Sequence, residues 1–230
     1  MKLYKHVFFD LDETLWDFKT NSYETIQEVF EIYRLDSLGL DREAFYARYC
    51  VHNTYYWELF RNGTIHREEL RIIRFIKTLQ EFNVTDEVLA KGLSESYLKI
   101  LPTKTRLHRD AVDVLKYLKQ KYSLHIITNG FEEVQFMKLQ YSGIINFFRY
   151  IITSEMAGSQ KPNRAIFKYA FERANASAFN SIFIGDSIEA DIHGAKGVGM
   201  DHILFNPEKT VHNETVMYEI ASLSELKHLL

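Results

Sequence analysis

A chain of 230 residues, 46% hydrophobic and 26% charged, has the make-up of one globular core, or one core carrying an insertion, and excludes a disordered or collagen-like chain. Its net charge of −3, from 28 basic and 31 acidic residues, offers no cationic field for a nucleic-acid polymer or an anionic membrane. The single cysteine, Cys50, rules out an intrachain disulfide and a thiolate-rich zinc site and agrees with a reducing compartment.

In chain order, His6–Asp10 reads as a buried strand. Its apolar run stops after three residues, too short for a signal peptide or a spanning helix, so a cytoplasmic location is expected. From about Asp17 to Leu101 no strand is evident. Helical stripes follow one another there: Ile26, Val29, Phe30 and Tyr33; then Phe45, Tyr49 and His52; then Leu70, Ile73, Phe75, Ile76 and Leu79; then Leu89, Leu93 and Tyr97. Pro102 marks the end of this all-helical insert. Beyond it the runs Ser123–Thr128, Phe148–Thr153, Ser181–Gly185 and Asp201–Phe205 read as strands covered on both faces. Helical patterns lie between them, at Asp110–Lys121 (Val112, Leu115, Leu118) and Asn163–Asn175 (Ile166, Phe167, Ala170, Phe171). This alternation predicts right-handed crossovers and a parallel sheet.

The polar residues gather where those strands end. Asp10-Leu-Asp12-Glu-Thr14 follows the first strand. In an open α/β sheet, ligands bind beyond the carboxyl ends of the strands, where the strand order reverses. Alone, this pattern arises by accident in about one such chain in a few tens, and a polar loop closing a strand explains it as well. Thr128-Asn129-Gly130 ends the second strand, and helical pattern resumes at Glu132. A hydroxyl and free N–H groups ahead of a helix cradle a phosphate; Thr128 as a simple cap is the plainer alternative. Lys161-Pro162 holds a cation in extended backbone before a helix, although most lysines are solvated. Gly185-Asp186, with Asp191 five residues on, follows another strand, while Glu189 is expected at the surface. Asp10 and Asp186 would supply hard oxygens for a divalent cation such as Mg²⁺ if their strands are neighbours. Chance placement of all four patterns at one edge of a sheet is improbable.

Together the four patterns resemble the haloacid dehalogenase (HAD) superfamily of hydrolases. The resemblance implies an α/β fold: a Rossmann-like parallel-sheet core from residues 1–16 and 102–230, with an inserted all-helical cap over 17–101 acting as a mobile lid. It implies that Asp10 is a nucleophile forming an aspartyl-phosphate, and that Asp12 protonates the leaving alcohol and then activates water. Mg²⁺ would be held by Asp10, the Asp12 backbone carbonyl and Asp186. Thr128, the Asn129 N–H and Lys161 would hold the transferring oxygens. Asp191 would orient Lys161 or a metal-bound water, and Thr14 would fix the loop.

The residue two after the nucleophile separates the chemistries of the superfamily. Dehalogenases and phosphonatases resembling this pattern lack an Asp there, so Asp12 favours a phosphate ester with an alkoxide leaving group. A phosphomutase keeps both acids and stays a rival, as does a sugar-phosphate phosphatase. Intact acids and lysine disfavour a non-catalytic binding protein. Asp12-Glu13-Thr14 followed by Leu15-Trp16-Asp17, and Thr153–Gly158 leading into Lys161-Pro162-Asn163, are similar to the pyrimidine-type 5′-nucleotidase branch. A small phosphomonoester, a nucleoside 5′-monophosphate in particular, is the expected partner. Phe45, Tyr46, Tyr49, Tyr55, Tyr56, Trp57 and Phe60 crowd one part of the insert. A base could stack on one or two of them, with His52, Asn53 or Arg61 as hydrogen-bond partners, but most must be packing residues of the insert.

Overall fold

The runs that read as strands all enter one sheet: β1 (His6–Phe9), β2 (Ser123–Thr128), β3 (Phe148–Thr153), β4 (Ser181–Gly185) and β5 (Asp201–Phe205). A sixth, β6 (Tyr218–Ile220), follows a polar loop and is too short to carry a pattern in the sequence. The computed structural model describes residues 3–230; Met1 and Lys2, with which the expected core begins, lie outside the described residues. All pairings are parallel, in the order β3-β2-β1-β4-β5-β6. This is the doubly wound arrangement, whose order reverses beside β1. The first strand ends with its apolar run at Phe9, one residue short of the expected His6–Asp10, although the Asp10 N–H still donates to the Ile184 carbonyl at 2.9 Å. Asp10 is thereby registered beside Gly185, with Asp186 one residue on.

The helices are α1 (Phe18–Ile32), α2 (Arg42–Arg61), α3 (Arg67–Gln80), α4 (Glu87–Ile100), α5 (Ala111–Lys119), α6 (Glu132–Tyr141), α7 (Ser154–Ala157), α8 (Arg164–Ala174), α9 (His193–Gly197) and α10 (Leu226–Leu229). None of the described helices is long and apolar enough to cross a membrane. The chain divides into two compact units, residues 1–18 with 105–230, and Lys19–Lys104.

In the sheet-containing unit, Phe8, Ile127, Ile152 and Phe183 pack with Ile166, Phe167 and Ala170 of α8 and with Ala195 of α9. The side chain of Asn163 accepts from the Ala165 N–H and starts α8 where the sequence pattern starts. In α5 the buried face is Ala111, Val114, Leu115 and Leu118, and Val112 is exposed. Of the expected stripe, Leu115 and Leu118 lie on this face and Val112 does not, while Ala111 and Val114 complete it.

In the helical unit Asp41 and Asp86 cap α2 and α4 through the N–H groups of Ala44 and Leu89. Its core is aromatic: Phe30 meets Phe45 edge-on, and Tyr49 lies against Phe75 and Tyr97. The third stripe differs from expectation, because Arg74 and Thr78 are buried while Ile73 and Ile76 are half-buried. The Arg74 guanidinium lies over the rings of Tyr49, Phe75 and Tyr97 and donates to Asn53 Oδ1 at 2.6 Å. Cation–π attraction and that one hydrogen bond retain a charge that apolar periodicity would not place there.

One buried group on β2 ties the sheet to pH. His125 is fully buried, stacked on Phe8 and Tyr150, with Nε2 3.2 Å from His6 Nδ1. Burial, reinforced by His6 and Arg149, pushes its pKa down from 6.5 to about 3. Between those values the unfolded chain binds a proton that the native chain does not, so stability falls as pH drops below about 6.5. Urea unfolding at pH 7.5 and 4.5 should show wild type losing about 2 kcal/mol more than His125→Phe over that interval. Equal losses would contradict the burial of a neutral imidazole.

Candidate active site

The connections after β1 and β4 converge at the reversal of strand order. From the loop after β1 comes Asp10, buried; from that after β4 comes Asp186; from the π-helical turn Ile188–Ile192 comes Asp191, buried. Carboxylate oxygens of all three lie within 4.8 Å of one another. The Lys161 ammonium, only 2% exposed, sits among them, 2.5 Å from Asp10 Oδ1 and 2.7 Å from Asp191 Oδ1. Asp191 Oδ2 accepts from the Ser187 N–H at 3.1 Å. Gly185 makes room for it, since a Cβ there would lie 2.3 Å from that same oxygen. Thr14 donates its hydroxyl to Asp186 Oδ1 at 3.0 Å, joining the loops after β1 and β4.

Three carboxylates against one ammonium leave a formal excess of two negative charges in a buried space. The protonation equilibria register it. Burial pushes the Asp10 carboxyl up to about 7 despite the opposing pull of Lys161, and Asp191 adds to the rise. Asp186 is held well above the usual carboxylate range by burial and by the charges of Asp10 and Asp191. Burial would lower the Lys161 pKa, but Asp10 and Asp191 outweigh it and hold it above the ordinary lysine range. An all-oxygen donor set with unbalanced negative charge suits a hard divalent cation such as Mg²⁺, and no histidine or thiolate joins the cluster among the described residues.

On the other side of Asp10 the structure brings in residues that the sequence reading did not single out. Asp12 Oδ1 is 2.6 Å from Lys138 Nζ, and Asp12 Oδ2 accepts from Gln135 Nε2 at 3.0 Å. The same amide nitrogen donates to Thr128 Oγ1 at 2.5 Å, and the Gly130 N–H donates there too, at 3.2 Å. Thr128 is therefore not the cap of α6; Phe131 occupies that position. Asn129 acts through its side chain as well: Oδ1 accepts from the Lys161 N–H at 2.8 Å and Nδ2 donates to the Lys161 carbonyl at 2.9 Å. That clamp holds the lysine backbone against the loop after β2. Glu13, directly after Asp12, has φ 63, a left-handed conformation that costs a non-glycine residue about 1–2 kcal/mol. A cavity of about 370 Å³ opens beside Asp186 and Glu13, with Asn206, Glu208 and His212 also in its wall.

Of the aromatic residues in the insert, Phe45 and Tyr49 are core. Tyr46, Tyr56, Trp57 and Phe60 are half-buried, and Tyr55 is exposed. Asn53 is committed to Arg74 and His52 lies 3.3 Å from Glu81, while Arg61 is exposed.

The family model described as haloacid dehalogenase-like hydrolase matches residues 4–199. The HAD-hydrolase YfnB of Bacillus subtilis is 34% identical over 233 residues, covering 100% of this chain and 97% of that protein. Its crystal structure, bound to magnesium and described as revealing interdomain movement, superposes with a TM-score of 0.90 at 33% identity and 99% coverage of both chains. The pyrimidine 5′-nucleotidase YjjG of Escherichia coli is 30% identical over 227 residues, covering 97% and 96% of the two chains. A glyceraldehyde 3-phosphate phosphatase of Methanothermobacter thermautotrophicus is 29% identical over 236 residues, covering 96% and 99%.

The charge imbalance predicts opposite effects for two near-isosteric substitutions in chelator. Lys161→Met leaves buried carboxylates uncompensated and should destabilise by about 3–5 kcal/mol. Asp186→Asn relieves repulsion, keeps an acceptor for Thr14 and should raise the melting temperature. Thermal unfolding of both variants beside wild type measures this; destabilisation by Asp186→Asn would contradict the electrostatic account.

Proposed function

The chain belongs to the haloacid dehalogenase-like hydrolases, and from that premise and the geometry of its crevice we propose that it hydrolyses phosphomonoesters by way of a phosphoryl group carried on Asp10, with a nucleoside 5′-monophosphate as substrate. The observation that carries the reading is the pair of acids on one loop in two unlike settings. Asp10 is buried against Lys161, and Asp12 is 28% exposed and held from α6.

In this reading an Asp10 oxygen attacks phosphorus while the bond from phosphorus to the leaving oxygen breaks, and Asp12 delivers the proton that oxygen needs. Water then attacks the phosphorus with Asp12 taking its proton, the bond to Asp10 breaks, and inorganic phosphate leaves. Lys161 fixes the rotation of the Asp10 carboxylate and offers charge to the transferring oxygens. Thr128 already accepts two hydrogen bonds, so its own hydrogen is the one it has to donate to a phosphate oxygen. Asp10, Asp186 and the Asp12 backbone carbonyl would hold Mg²⁺, which when bound offsets the repulsion between the Asp10 carboxylate and the phosphate. Asp191 and Asn129 hold Lys161 from its two ends, and Thr14 holds Asp186.

All phosphomonoesters present the same dianion to this set, so preference among them must come from the leaving group. Stacking of a base on an aromatic ring contributes about 1–3 kcal/mol. The likeness to YjjG supports a pyrimidine base. A small phosphorylated sugar is the second reading, supported by the likeness to the archaeal glyceraldehyde 3-phosphate phosphatase.

Asp10→Asn should lower phosphate release by about 10³-fold or more, since an amide is neither a nucleophile nor a good metal ligand; a folded variant with substantial turnover would remove Asp10 from this role. Uridine 5′-monophosphate should exceed glucose 6-phosphate in kcat/KM by about 5- to 150-fold at matched Mg²⁺. Equal or inverted values would sink the nucleotide preference and leave the phosphatase reading standing.

A further inference from the structure

Two polar side chains of α6 are buried without any part in the reaction described so far: Gln135 is 0% exposed and Lys138 2%. Lysine is among the residue types least often buried, and is buried only when paired. Three residues apart, the two share one helix face. Between them they take both oxygens of one carboxylate, Lys138 at Oδ1 of Asp12 and Gln135 at Oδ2. Because a carboxylate only accepts, the nitrogen side of the Gln135 amide must face Asp12, and its second hydrogen goes to the Thr128 hydroxyl. The Lys138 ammonium also lies over the Trp16 ring at 4.4 Å and the Phe18 ring at 5.4 Å, so the same loop that carries Asp12 returns to cover it. Gly130 is part of the arrangement, since a Cβ there would come within 2.5 Å of the Gln135 amide.

We infer that Gln135 and Lys138 are positioning residues, which fix the direction of the Asp12 carboxylate and couple it to the Thr128 hydroxyl, so that proton delivery to the leaving oxygen and the grip on the phosphate share one frame. This rests on the reading of Asp12 as the group that serves the leaving oxygen. A carboxylate beyond a strand end turns about two side-chain torsions. Donors on both oxygens from one rigid helix remove that freedom, and misplacement of a reacting group by about 1 Å costs on the order of 10²-fold. Two apolar residues at 135 and 138 would fill the same space without burying an amide and a charge. The polar pair is thus a cost to folding that its contacts with Asp12 and Thr128 account for.

The test uses the leaving group as the probe. Gln135→Met and Lys138→Met, each near-isosteric, are made separately and assayed with Mg²⁺ on p-nitrophenyl phosphate, whose leaving group needs little protonation, and on uridine 5′-monophosphate, whose alkoxide needs it. kcat/KM reports only steps up to departure of the leaving group. The ratio of the two values within one sample is unaffected by any misfolded fraction. Each variant should lose about 10- to 100-fold on the nucleotide and less than about 3-fold on the aryl phosphate. Equal loss on both substrates, or loss on neither, overturns the inference. Asp12→Asn is the control. If it shows the skewed loss and the helix variants do not, the inference fails and the role of Asp12 stands. If Asp12→Asn shows no skew, the reading of Asp12 itself fails.

Discussion

The buried ammonium of Lys161 is the interaction on which the site depends. It bridges Asp10 and Asp191 at 2.5 and 2.7 Å in a space with almost no exposure to water. Without it, three carboxyl groups whose oxygens lie within 4.8 Å would face one another with no counter-charge among them. The parallel sheet makes this proximity unavoidable, because β1 and β4 are adjacent and in register, and their carboxyl ends open at the reversal of strand order. The helix-bearing loop that brings Lys161 is held by the Asn129 side chain, so the cation is placed by the loop after β2. Even with the lysine in place, the negative charge is not balanced. The raised pKa values of Asp10 and Asp186 are the mark of an environment arranged for charge that arrives with a ligand.

The acids of the crevice occupy two environments. Asp10 and Asp186 lie on the charged side with Lys161, where burial and mutual repulsion dominate. Asp12 lies on the side of α6, where two donors hold it, one of them resting on an indole ring. Two residues of separation on one loop turn the side chains to different walls. Carboxyl groups in different settings serve different steps, and that asymmetry rather than the mere presence of acids distinguishes this site from a polar loop closing a strand.

Much of the sheet could be read from the chain because buried parallel strands leave a strong trace. Short runs such as Ser181–Gly185 carry an unbroken apolar centre, here Ile182, Phe183 and Ile184, and β2 to β5 have the bounds that those runs have. The three-residue β6 leaves no such trace, being defined by its pairing with β5. The polar side of the site was less legible. Gln135 and Lys138 are polar residues of α6 whose partners, Asp12, Thr128 and the Trp16 ring, are distant in sequence and met only in the fold. Their spacing of three, directly after the Thr128 loop, is the signal that could have found them. Asn129 was legible as a backbone donor, whereas its amide clamp on Lys161 joins residues 32 apart and follows from the fold alone. Arg74 is the counterpart in the helical unit, a charge at a position where periodicity asks for an apolar residue, explained by the rings of Tyr49 from α2 and Tyr97 from α4 and by that of its own neighbour Phe75.

The central claim is that Asp10 carries the phosphoryl group during turnover. Mixing enzyme, Mg²⁺ and a nucleoside 5′-monophosphate, quenching in acid within the first turnover and mapping the peptides by mass spectrometry tests it directly. The account predicts that the peptide containing Asp10 is heavier by one phosphoryl group, that this adduct decays as inorganic phosphate appears, and that it is absent from Asp10→Asn. A phosphoryl group found on any other residue, or full release of phosphate by an enzyme that never carries one, would contradict it.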